Sequence, residues 1–141
     1  MRGRRFIAEH RLLAAWAADC AEHVMHLMDE HSADARLGEA IDIARAWSTG
    51  NATVGDARNA SIACHTLARD LVDASPAEIA VARSAGHAVA TAHMADHCLQ
   101  ASRYALSAAT NAGLDTEAER NWQISHLPIS VRELVVPALK V

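Results

Sequence analysis

The sequence predicts an all-α protein, a single-domain bundle of five to six helices with a long histidine-containing fourth helix. Three observations carry this expectation. Of the 141 residues, 51% are hydrophobic but only 4% are aromatic; alanine, first on the helix scale and depleted in strands, is the commonest type. No segment alternates apolar and polar residues at the two-residue period of a half-buried strand, and no hairpin turn signal occurs. Helix caps, in contrast, recur along the chain. At this length, one domain of ordinary size buries about two-thirds of the surface its unfolded chain exposes.

The elements follow in order. A first helix is predicted from Arg5 to about Glu30, with Leu13, Ala17, Cys20, Val24 and Leu27 at heptad-like spacing. His31-Ser-Ala-Asp34 interrupts it, and Asp34 is placed to cap a second helix that holds Ile41, Ala44, Arg45 and Trp47. Ser48-Thr-Gly-Asn51 ends that helix. Thr53, with Asp56 in its first turn, opens a third that runs through Ile62, Cys64, His65 and Leu67 to about Val72. Ser75-Pro76-Ala77-Glu78 is the strongest start: a serine cap, proline at the first helical position and glutamate at the third. The fourth helix should continue to about Thr110. Gly113 stops it, Thr116 and Glu119 read as a capping box for a short helix to about His126, and Pro128 ends that one. Ser130 with Glu133 opens a last helix, which Pro137 should terminate.

Charge and composition exclude several classes. A formal charge of −4 argues against a nucleic-acid backbone as the main partner. The basic start, Arg2 to Arg5, is followed by an apolar run that stops at Glu9, too short for a secretory segment of roughly 7–15 apolar residues. No stretch of about 20 apolar residues is present, so no membrane is expected as a partner. The three cysteines, Cys20, Cys64 and Cys98, are far apart with no CxxC, which fits a reduced, cytoplasmic protein. There is no P-loop and no Rossmann glycine pattern, and no cofactor is expected.

The candidate site centres on Gly86 to His97, reading GHAVATAHMADH. On one continuous helix His93 and His97 stack one turn apart with Ile79, Gly86, Ala90, Ala101 and Tyr104, on the side facing the core, while His87 falls on another face. Gly86 and Ala90 are small enough to admit a neighbouring helix. On the first helix Leu12, Trp16, Asp19, His23, His26 and Glu30 form a stripe that turns polar at Asp19, a carboxylate able to orient an imidazole on the facing helix.

Three readings of these groups stay open. The first is structural: inward histidines hydrogen-bonded to a carbonyl or carboxylate. In the second, His93 and His97 at i,i+4 hold a metal that Asp19, His23 or His65 completes. Met94 stands where a zinc-hydrolase HExxH motif has glutamate, and the Glu-x-x-His pairs of di-iron bundles are missing, so no metal is expected. The third is acid–base chemistry by His93, His97, Asp96 and Asp19. The neighbours Cys98/His97 and Cys64/His65 point about 100° apart on a helix, so the cysteines read as core fillers rather than nucleophiles. Arg45, Arg69 and Arg103 read as structural or surface ion-pair partners of Asp19, Asp42 or Asp96.

The segments Trp16-Ala-Ala-Asp19-Cys20-Ala21, Ala44-Arg45-Ala46-Trp47, Ala68-Arg69, Gly86 to His97, Glu119-Arg-Asn-Trp122-Gln123 and Leu127-Pro128 together resemble the Imm-5-like family across nearly the whole chain. These are small all-helical bacterial proteins described as putative immunity proteins of polymorphic-toxin systems. By that resemblance Asp19, Arg45, Trp47, His93, Asp96, His97, Trp122 and Gln123 match characteristic positions. The resemblance implies a helical domain that binds and neutralises a cognate toxin protein. A polar cluster of Asp19, His23, Arg45, Trp47, His65, His93, His97 and Trp122 would equally suit a small-molecule enzyme or ligand binder. A structural domain, and a homodimer, also remain open.

Overall fold

A computed structural model describes residues 2–71 and 73–139, with side chains from Phe6 onward. Seven α-helices form among the described residues: α1 (Arg2–His23), α2 (Ala35–Ser48), α3 (Val54–Asp70), α4 (Pro76–Ala90), α5 (His97–Asn111), α6 (Thr116–Ser125) and α7 (Ile129–Leu139). A 3₁₀ turn, Met25–Leu27, follows α1. The all-helical expectation holds, and the predicted five to six helices become seven because the long fourth helix is two. The expected end of the third helix at Val72 lies outside the described residues.

The caps explain most boundaries. Asp34 accepts the Arg36 amide N–H at 2.9 Å and starts α2. Thr53 and Asp56 form a reciprocal capping box on α3, as do Ser75 and Glu78 on α4. Gly50 and Gly113, with φ of 82° and 83°, take the left-handed conformation that closes α2 and α5. Other boundaries differ. Helix α1 ends at His23 instead of continuing to about Glu30: the chain tightens into the 3₁₀ turn and Met28 is extended, so His26 and Glu30 do not continue the α1 stripe. Asp115, rather than Thr116, caps α6 by accepting the amides of Glu117 and Ala118, which leaves Glu119 free to pair elsewhere. Proline's fixed φ is itself helical, and α7 runs through Pro137 to Leu139.

The break between α4 and α5 has a tertiary cause. His10 of α1 donates its Nε2–H to the Thr91 carbonyl, an acceptor that a continuing helix would need for its own ladder. The Thr91 hydroxyl bonds back to the His87 carbonyl at 3.1 Å, a local bond that competes with regular helix. The chain then reverses: Ser84 donates to the Ala101 carbonyl while His87 meets His97, so α4 and α5 lie antiparallel.

Helix α4 is central, packed on α1, α2, α3 and α5 and buried on nearly every side, with Ala80, Val81, Ala82, Ala85, Ala88 and Val89 in the core. Small residues on α5, including Ala101, Ala105, Ala108 and Ala109, let the two helices approach closely. Trp16, Leu37 and Val131 fill the larger spaces. Helix α6 is held by a buried polar latch. Gln123 is fully buried, accepts the Ser102 hydroxyl at 2.6 Å and donates to the Ser102 carbonyl at 3.1 Å; its own carbonyl takes the Trp16 indole N–H at 2.9 Å. No helix among the described residues is long and apolar enough to cross a membrane.

Candidate functional site

Two separate polar groups emerge, and they divide the predicted residues between them. The first lies where the end of α1 meets α2 and α6. On α1, the i,i+3,i+4 spacing of Asp19, Glu22 and His23 places all three on one face. On α6, Glu119, Trp122 and His126 share a face at i,i+3,i+7. Arg45 of α2 donates from Nη2 to Asp19 Oδ1 at 2.8 Å and from Nη1 to Glu22 Oε2 at 2.8 Å, so one guanidinium bridges two carboxylates. The bond to Arg45 holds the Glu22 carboxyl below its ordinary range. His23 Nδ1–H donates to Glu119 at 2.8 Å, and its ring lies flat on Trp122 at 3.5 Å and 5°. His126 stacks on Trp122 from the α6 side at 4.0 Å. Asp19, Glu22, His23, Trp122 and His126 line a concavity of about 380 Å³.

This face is open. Asp19 and Arg45 keep 40% and 36% of their side-chain exposure, so their ion pair contributes about 0–1 kcal/mol to folding. Asp19 therefore does not orient an imidazole on the central helix, as the sequence suggested; it pairs with Arg45, one of the partnerships the sequence did offer.

The second group lies where α3, α4 and α5 pack. Arg83 Nη1–H donates to His65 Nδ1 at 2.8 Å. One of His87 and His97 donates its Nδ1–H to the other's Nδ1 at 3.0 Å. The His65 ring meets His87 edge-on at 4.8 Å, and Tyr104 stacks on His87 at 5.4 Å and 6°. Space for His65 comes from Gly86: a Cβ there would stand 2.8 Å from His65 Nε2. The close approach expected at Gly86 is thus that of a ring on α3.

Placement of the run itself differs from the expectation. Because α4 ends at Ala90, His93 and His97 do not share a core-facing stripe. His93 and Asp96 are exposed on the connection, and His97 begins α5 half-buried. His87, assigned to another face on a continuous helix, is the residue that meets His97. Asp96 lines a separate apolar groove of about 250 Å³ with Phe6, His10, Leu13, Leu99 and Leu134. Trp47 belongs to neither group and packs against His10 at 4.7 Å. The sequence reading omitted His87, Arg83, Glu22, Glu119 and His126 as site members; the i,i+4 pairs Arg83/His87 and Trp122/His126 were the available signal.

Among the described residues, no group of three or more His, Cys, Asp and Glu side chains is arranged to hold a metal ion. The thiols are buried: burial pushes Cys64 and Cys98 up to about 12 and Cys20 well above its usual value, so thiolate is scarce at neutral pH.

The second group makes stability depend on pH. Burial first, then His65, His97 and Arg83, pull His87 from 6.5 to about 4. Burial also lowers His65, helped by Arg83, His97 and Arg69, and lowers His97, helped by His93 and opposed by Asp96. Between 6.5 and about 4 the unfolded chain therefore binds more protons than the folded one, and stability falls as pH falls. Glu78, drawn down from 4.5 to about 2 by the Ser75 amide and then by Ser32, acts in a lower window. The melting temperature should decline from about pH 6.5 downward, and His87→Asn should flatten that first decline.

Residues 7–129 match the family described as Imm-5 like putative immunity protein. No curated protein and no solved structure matches the chain.

Proposed function

The chain belongs to the Imm-5-like family of putative immunity proteins, and from that premise we propose that it binds a cognate toxin protein and neutralises it through the open Asp19–Arg45–Trp122 face. The observation that carries this reading is the convergence of residues from α1 and the α6 end on one accessible concavity instead of an enclosed pocket, with Arg45 of α2 paired to its Asp19 and Glu22. Tryptophan and arginine dominate the energetics of protein interfaces when a polar rim excludes water around them. Here Trp122 is clamped by His23 and His126, and Arg45 by two carboxylates, so little side-chain freedom is lost on docking. Asp19 and Glu22 outnumber Arg45 on this face, a balance that steers a basic toxin surface towards it.

The test is direct. Co-expression of the chain with the product of the neighbouring gene should protect growth from that product, and the purified proteins should form a stoichiometric complex. A toxin that remains active at excess chain, with no complex detected by titration calorimetry, would overturn the reading.

A further inference from the structure

The group on α3, α4 and α5 collects potential positive charge, and no carboxylate forms an ion pair with Arg83, His65, His87 or His97 among the described residues. The ion pairs among the described residues engage His23, Arg36, Arg45 and Arg120; Arg83 instead spends its hydrogen bond on an imidazole. Arg69 adds positive potential at His65 and His93 does so at His97, while Asp96 is the carboxylate opposing it near His97.

The directions of the hydrogen bonds follow from Arg83. A guanidinium only donates, so His65 Nδ1 accepts and the ring carries its hydrogen on Nε2. In the His87–His97 pair, the accepting ring likewise keeps its hydrogen on Nε2. The donating ring can take a second proton on Nε2 without breaking that bond. Half-buried groups of like charge are mutually unfavourable unless a counter-charge joins them. An anion at this point would accept the spare Arg83 donors and favour proton uptake by the imidazole pair.

We propose that Arg83 with His65, His87 and His97 forms a binding site for a dianionic tetrahedral oxyanion of the phosphate class, free or as a small phosphomonoester. Arg83 is the fixed cation, and the His87–His97 pair takes up a proton as the anion binds. Gly86 makes the room for His65, and Tyr104 backs His87. This site is distinct from the Trp122 face and does not depend on the toxin reading.

The experiment is a titration of the full chain with phosphate, sulfate or acetate at constant ionic strength, read by histidine side-chain NMR and by melting temperature. Phosphate and sulfate should shift the His65, His87 and His97 resonances saturably and raise the melting temperature. Sulfate, whose charge is constant over this range, should bind more tightly at about pH 6 than at about pH 7.5. Arg83→Gln should weaken phosphate at least about tenfold. Arg83→Lys should keep part of the affinity, and Arg58→Gln, an exposed α3 position, should keep all of it. Competition by glycerol phosphate assigns the esterified form, and phosphate binding without that competition assigns the free anion. Shifts that never saturate, equal binding by Arg83→Gln, or an acetate response matching that of phosphate would overturn the proposal.

Discussion

Gln123→Ala is expected to destabilise the fold by about 2–4 kcal/mol, from the lost buried contacts and two lost hydrogen bonds. Gln123 is fully buried, and its amide is matched on both sides by Ser102, hydroxyl to Oε1 and Nε2 to carbonyl. Truncation leaves the Ser102 hydroxyl buried without this acceptor and opens a void beneath α6. For a chain of this size the melting temperature should drop by roughly 10 °C. A Ser102→Ala/Gln123→Ala cycle isolates the pair: strong coupling, with the double variant more stable than additivity predicts, identifies the latch as one unit. Additive effects would show that α6 is held by packing alone.

Trp122→Ala should act on binding more than on folding. Trp122 is half-buried, and its two ring faces rest on His23 and His126. Removing a pre-ordered tryptophan at the centre of an interface costs at least about 2 kcal/mol, a loss of about 30-fold in toxin affinity. Circular dichroism should stay helical while calorimetry with the toxin registers that loss and growth protection falls with it. Arg45→Ala should weaken binding too, because it leaves Asp19 and Glu22 facing each other without their shared cation.

Legibility in the sequence depended on whether a feature was local. Ser75-Pro76-Ala77-Glu78 carries the start of α4 in four residues, and Thr53 with Asp56 does the same for α3. Gly50 and Gly113 marked two stops because glycine takes positive φ without steric cost. The interruption after Ala90 had no such mark, since neither glycine nor proline lies between Ala90 and His97. Its cause is a bond to His10, 81 residues earlier. That one misreading propagated into the site. On an unbroken helix His87 and His97 point apart, whereas across a reversal they touch. The Asp19–Arg45 pairing was among those the residue types allowed. Whether that pair faced inward or outward depended on where α6 docks, which rests on the Gln123 and Glu119 contacts. The Glu119-Arg-Asn-Trp122-Gln123 segment marked the family, but its division into an outward ring and an inward amide became visible only with α6 in place.

Hydrogen–deuterium exchange of the chain with and without its toxin tests the central claim most directly. The account predicts new protection at Asp19–His23, around Arg45 and at Glu119–His126, with the α3/α4/α5 face unchanged. Protection confined to that other face, leaving Trp122 and its neighbours exchanging as in the free chain, would contradict it.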